Sequence, residues 1–246
     1  GSAGGAGDES ADDRFLERFV RIVSDRSAEL EAKLDALLDL GRERLDLSVG
    51  YAARTTQGRF ALRRHRGGSE LLASLEERDV IDADGSLPLE DTYCRRTVGA
   101  DGPAADASAG DGPSGNGSAG DGPAGDETAG EGADGAGGSV VAFTDPAAAG
   151  WEGDPAHELF GLGSYIGGRI VVDDEVVGSL CFVDEESRER PFTAQERLFV
   201  ELLADWLGRA FERRAAREDR EAAVERLEDT LERIDDAFFA LDDDWR

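Results

Sequence analysis

In this 246-residue sequence the side chains with the most distinctive chemistry are two cysteines, two histidines and three tyrosines. Cys94 lies in LEDTYCRRTV (89–98), directly before Arg95 and Arg96. Cationic neighbours lower a thiol pKa when they lie close to the sulfur, and the thiolate is the nucleophile, so this spacing suits a redox thiol. A free cysteine is also a small apolar residue, and the same segment fits a core position. Cys181 lies in the run SLCFV. Strand alternation points it away from Leu180 and Phe182, into a core or a pocket wall. Tyr93 and Tyr165 each offer an apolar ring and a hydroxyl, which suits either a ligand pocket or a core. Asp145, before Pro146, reads as a turn acid that could also accept a bond from a ligand. His65 stands among Arg63, Arg64 and Arg66, at a basic and exposed position. His157 follows GDPA near Phe160. No HxxxH or CxxC spacing occurs, so no metal site and no disulfide framework are expected. GxSxG, P-loop and dinucleotide fingerprints are missing as well. With 55 acidic residues, any pair of carboxylates is uninformative.

The acids face 27 bases, a formal charge of −28, and Lys33 is the single lysine. Unassisted binding to nucleic acid or to an anionic membrane needs a basic face, so both are excluded as partners. An acidic excess with almost no lysine resembles proteins that live in concentrated salt. There the Debye length falls to about 3 Å and self-repulsion is screened. No apolar run approaches the roughly 20 residues that span a bilayer. No signal-peptide pattern is present either, and a reduced, cytoplasmic setting is expected. The sequence holds no methionine and is expected to be a segment of a longer protein.

Several elements must position these side chains. Residues 1–13 read as a flexible lead-in. Phe15, Phe19, Ile22, Leu30, Leu34, Leu37 and Leu38 follow helical spacing, giving one bent helix or two, with Ser24 or Ser27 as a cap and an end near 41–45. Strands near 47–54 and 59–64 join at Gln57-Gly58 as a hairpin. SELLASLEERDVI reads as a short helix or irregular segment, and LPLEDTYCRRTV as a short helix. Residues 101–138 carry three ten-residue DGP units and a degenerate fourth. These units contain no large apolar residue from which a repeat core could be built, so the stretch reads as a disordered insertion. SVVAFTD (139–145) is strand-like, and WEGDPAHELFGLG a short helix and turn. Strands near 164–173 and 176–183 form a second hairpin around Asp173-Asp174-Glu175.

A long helix is predicted over 194–234, with Thr193 as N-cap and Glu196 completing a capping box. Phe199, Leu203, Trp206, Ala210, Arg213, Arg217, Arg220, Val224, Leu227, Leu231 and Ile234 keep one heptad register. The first part would pack on the domain or on a partner. Val224, Leu227, Leu231 and Ile234 would form the seam of a homodimer. At 1.5 Å per residue the helix is roughly 60 Å long, more than one domain requires.

This order of elements, with Tyr165-Ile166-Gly167, the Gly178–Phe182 strand and the Phe192-Thr193…Glu196 helix start, resembles a GAF domain of haloarchaeal signalling proteins. The resemblance covers residues 14–213 around the 101–138 insertion. It implies an α/β fold of the α+β type: an antiparallel sheet with flanking helices on one face and a ligand pocket on the other, followed by a long C-terminal helix. LERIDDAFFALDDDWR resembles the opening of a PAS domain (234–246), with a linker helix at 214–233. Such arrangements are similar to those of sensor histidine kinases and bacterio-opsin-activator-like regulators. The implied role is sensory or regulatory: it binds a small molecule or partner, is not itself an enzyme, and relays to PAS and output domains. The pocket candidates are Tyr93, Cys94, Asp145, Tyr165 and Cys181. Bilin-binding GAF domains usually place His after the attaching Cys, whereas Arg95 follows here, so a bilin is disfavoured. Haem ligation by His157 is disfavoured too, and the cofactor stays unknown. Methionine-sulfoxide-reducing GAF enzymes use a cysteine set that has no match here. Two alternatives remain: a thiol-based redox enzyme or sensor using Cys94, and a dimerisation scaffold whose pocket is filled by its own side chains.

Overall fold

The computed structural model describes residues 5–68, 85–99, 139–151 and 153–239, with side chains described from 14 to 231. The SELLASLEERDVI segment, the 101–138 repeats and the end of the tail fall largely or wholly outside these residues, as does the side chain of Ile234.

Six strands form one antiparallel sheet: β1 (Val49–Thr56), β2 (Arg59–Arg66), β3 (Ser86–Pro88), β4 (Val140–Phe143), β5 (Ser164–Val172) and β6 (Glu175–Asp184), in the order β3-β2-β1-β6-β5-β4. The two hairpins expected from the sequence are β1–β2 and β5–β6. Gln57 and Gly58 both adopt positive φ (52° and 72°), as do Asp173 and Asp174 (50° and 64°). That is the backbone of a type I′ turn, whose twist matches the strands it joins. The hairpins meet along β1 and β6, where Tyr51 lies opposite Cys181.

Both faces of the sheet are covered. Ala52, Ile166, Ile170, Leu180 and Phe182 meet α1 (Gly5–Ser24), α2 (Leu30–Leu45) and α5 (Ala194–Phe239). On the opposite face Val49, Ala53, Tyr165, Cys181 and Val183 meet the connecting segments, which hold a 3-10 turn (Leu89–Asp91), α3 (Cys94–Thr97) and α4 (Pro155–Phe160). Strand alternation thus sends Leu180 and Phe182 to the helices and Cys181 to the other side.

The N-terminal reading needs correction at two points. Helix α1 begins at Gly5 and takes in most of the expected lead-in. Two helices form rather than one bent one, and neither serine caps the second. Its N-cap is Glu29, without a side-chain bond. Ser27 instead donates both its N–H (2.8 Å) and its hydroxyl (2.6 Å) to Asp25 Oδ1, so the junction is an Asx-type turn. The basic end of β2 is not free: Arg64 pairs with Asp35 and Arg66 with Asp39 on α2. His65 between them is exposed.

Helix α5 starts as the sequence predicts. Glu196 N–H donates to Thr193 Oγ1 (3.2 Å), and Thr193 N–H donates to Glu196 Oε2 (2.7 Å). Arg188 donates to the other carboxylate oxygen at 2.9 Å. Burial disfavours the Glu196 carboxylate, yet these donors hold its pKa below the usual range. Thr193→Ala is expected to cost about 1 kcal/mol, read as a lower urea midpoint at unchanged slope; an unchanged midpoint would show that the box contributes nothing. The face of α5 on the sheet is Val200, Leu203, Ala204, Leu207 and Gly208. The first part of the heptad stripe packs on the domain with it: Phe199, Leu203 and Ala210 are buried and Trp206 is half-buried against the same core. Beyond Glu212 the described side chains are exposed, and Val224, Leu227 and Leu231 are 50–59% exposed.

Candidate functional site

Four of the five pocket candidates meet on the face away from the long helices. Tyr93, Cys94, Tyr165 and Cys181 are all at most 2% exposed. The Sγ atoms of Cys94 and Cys181 are 3.7 Å apart, and both cysteines are free thiols. Tyr51 Oη lies 3.3 Å from Cys94 Sγ, and Tyr165 Oη lies 3.2 Å from Cys181 Sγ and 3.8 Å from Cys94 Sγ. Thr97 Oγ1 and Tyr165 Oη share a hydrogen bond of 2.6 Å. Ser179, two residues before Cys181 on the same face of β6, has a buried hydroxyl without a hydrogen-bond partner. Asp145 lies apart from this group: it is exposed, and its Oδ1 accepts the N–H of Ala147 (2.9 Å) in a turn.

Gly167 makes the cluster possible. It pairs with Cys181 across β5–β6, and a Cβ there would stand 2.5 Å from Tyr165 Oη and 2.9 Å from Cys181 Sγ. With no side chain in the way, the Tyr165 ring folds back along its own strand and brings its hydroxyl to the thiols.

Burial pushes the Tyr51 and Tyr165 hydroxyls and the Cys181 thiol well above their ordinary pKa values, and the neighbouring thiols add to it. Cys94 moves the other way. Burial opposes its ionisation, but Cys181 and the hydroxyls around it favour the thiolate more strongly and hold its pKa below the usual thiol range. The sequence attributed such an effect to Arg95 and Arg96. Their guanidinium groups turn instead to the ring of Trp151, at 4.8 and 3.9 Å from its centroid. Arg95 also forms an ion pair with Asp154, which N-caps α4 through Ala156 N–H at 2.8 Å. Arg96 donates to the carbonyl of Ala149 (3.0 Å). Together these contacts clamp the segment before α4 over α3.

Tyr93 lies beneath that clamp, among Phe143, Trp151, Phe160 and Tyr165, with ring centroids 4.6–6.2 Å away. Its hydroxyl meets His157 Nδ1 at 2.8 Å, which gives His157 a structural partner. Tyr93, Tyr165 and the cysteines thus contact one another where a ligand pocket was expected. Sequence reasoning missed Tyr51, Thr97, Trp151 and Gly167. Tyr51 could have been placed on this face by alternation with Val49 and Ala53, but its approach to Cys94 depends on the nonlocal β1–β6 pairing. Among the described residues no group of three or more His, Cys, Asp or Glu could hold a metal ion, and no helix is long and apolar enough to cross a membrane.

An antiparallel sheet with long helices on one face and connecting segments covering the other defines an α+β domain. Residues 29–211 match the GAF domain family, and the chain belongs to it. Solved structures agree on the fold. The GAF domain of an Acinetobacter phosphoenolpyruvate-protein phosphotransferase is 13% identical with a TM-score of 0.52, over 85% of this chain and 98% of that one. Free methionine-R-sulfoxide reductase from Neisseria meningitidis is 15% identical with a TM-score of 0.50, over 83% and 93%. A GAF domain from Synechocystis in its photoproduct state is 14% identical with a TM-score of 0.50, over 78% and 98%. No curated protein matches the chain by sequence.

Proposed function

We propose that this chain is the sensory or regulatory GAF module of a cytoplasmic signal-transduction protein of salt-adapted type. It is not itself an enzyme. It acts as a homodimer and relays a change at the covered face through α5 to a PAS domain beginning near residue 234 and a histidine kinase output. The observation that carries the reading is α5 itself. Its first half is buried on β5, and it then continues as one helix to Phe239 with Val224, Leu227 and Leu231 exposed in heptad register. A helix rooted in one domain and carrying an apolar stripe beyond it suits a paired linker with two alternative arrangements. Arg213, Arg217 and Arg220 interrupt the stripe, which keeps the middle of the pair weakly held and adjustable. Leu227→Cys and Leu231→Cys should each give a disulfide-linked dimer under mild oxidation. Absence of a cross-linked dimer at both positions would sink the paired-helix relay.

A further inference from the structure

We propose that Cys94 and Cys181 form a reversible disulfide, which makes the covered face an oxidant-responsive site and a hydroperoxide the signal it reads. The regulatory consequence rests on the relay through α5 described above; the chemistry of the pair does not. Three observations converge. The two sulfurs are in contact at 3.7 Å although 87 residues separate them in sequence, and a bond of about 2.05 Å needs them to close by roughly 1.7 Å. Two tyrosine hydroxyls reach the sulfur atoms, that of Tyr51 at Cys94 and that of Tyr165 at Cys181, the latter while also bonding Thr97. Neutral thiols are weak acceptors, so buried phenols gain little there, whereas a thiolate would accept charge-assisted bonds from both. The Ser179 hydroxyl is buried beside the pair with no acceptor, and a thiolate would supply one. Core packing alone does not explain why the Tyr51 and Ser179 hydroxyls sit against sulfur in this layer.

The step balances with a hydroperoxide as oxidant. The Cys94 thiolate attacks one peroxide oxygen; an S–O bond forms and the O–O bond breaks. The leaving oxygen takes a proton and departs as water, or as an alcohol from an organic peroxide. Cys181 sulfur then attacks Cys94 sulfur; the S–S bond forms, the S–O bond breaks, and the departing hydroxide leaves as water with the Cys181 proton. Two thiols lose two electrons in total and the peroxide gains them. A dithiol reverses the change by two exchange steps.

The disulfide has a route to the helix. Cys94 opens α3, and the Thr97 carbonyl at the end of α3 accepts from Arg169 Nε on β5 at 2.9 Å. Next to Arg169, Gly168 lies under Ala204 and Val200 of α5. Drawing α3 toward β6 therefore loads the strand on which α5 rests.

The test treats the folded chain with hydrogen peroxide, then alkylates it under denaturing conditions and reads the intact mass. Two free thiols before treatment, none after, and two again after dithiothreitol are expected. Cys181→Ser should instead accumulate a dimedone-reactive Cys94, and Cys94→Ser should give neither product. If both wild-type thiols still alkylate after peroxide, or their loss is not reversed by dithiothreitol, the proposal is overturned. The wild-type outcome needs no variant to fold, and it leaves the paired-helix reading to its own cross-linking test. Amide exchange along α5 should differ between reduced and oxidised forms; identical exchange would overturn the switch even where the disulfide forms.

Discussion

Replacing Trp151 by alanine is expected to cost about 3–5 kcal/mol of folding stability and to open Cys94 to alkylation in the native state. The indole is 1% exposed and lies against Tyr93 and Phe143, with ring centroids at 4.6 and 5.8 Å. It is also the surface on which both guanidinium groups stack. Its loss removes a large buried volume and leaves a cavity directly above α3. A cavity beside Arg95 and Asp154 admits water, so the site would become wet rather than stay an empty apolar void. Trp151→Phe keeps a ring under the arginines and should lose clearly less, with native alkylation of Cys94 close to wild type. Urea denaturation and the rate of thiol labelling in native buffer measure the two effects separately. Equal labelling rates for wild type and Trp151→Ala would show that Trp151 does not cover the thiols.

The role of Trp151 was not legible in the sequence, and the reason is topological. Local pattern is enough where neighbouring residues decide the outcome. Gln57-Gly58 and Asp173-Asp174 mark their turns, Thr193 and Glu196 mark the start of α5, and alternation places Cys181 opposite Leu180 and Phe182. The site is assembled from contacts distant in the chain: Tyr51 with Cys94, Thr97 with Tyr165, Arg95 with Asp154. No period or spacing in one sequence encodes those pairings. Adjacency even misled in one case. Arg95 and Arg96 follow Cys94, but a one-turn helix points its successive residues about 100° apart. Cys94 therefore faces the sheet while the arginines reach the covering segment. Asp145 stands at the end of a strand, a position that suggests the pocket, yet its carboxylate is used by the turn it begins.

The attachment of α5 to the sheet makes a second prediction, with a sign opposite to the usual one. Glycine inside a helix ordinarily costs up to about 1 kcal/mol relative to alanine, so Gly→Ala there normally stabilises. Gly208 is the exception: a Cβ at this position would stand 2.1 Å from the Val171 carbonyl oxygen. The obstacle is strand backbone, which cannot swing aside as a side chain can. Helix and strand must separate by about 1 Å to reach ordinary van der Waals distance, and overpacking of this kind costs typically 1–3 kcal/mol. That exceeds the propensity gain, so Gly208→Ala is expected to destabilise the domain, and Gly208→Val more so. Ala216→Gly, on the exposed continuation of the same helix, should also destabilise, by up to about 1 kcal/mol, through propensity alone. The two are told apart by amide exchange. Gly208→Ala should loosen β5 and the buried half of α5, whereas Ala216→Gly should affect only the exposed half. Stabilisation by Gly208→Ala would mean that α5 is not seated against Val171, and the mechanical link from the thiol face to the linker helix would then lose its anchor.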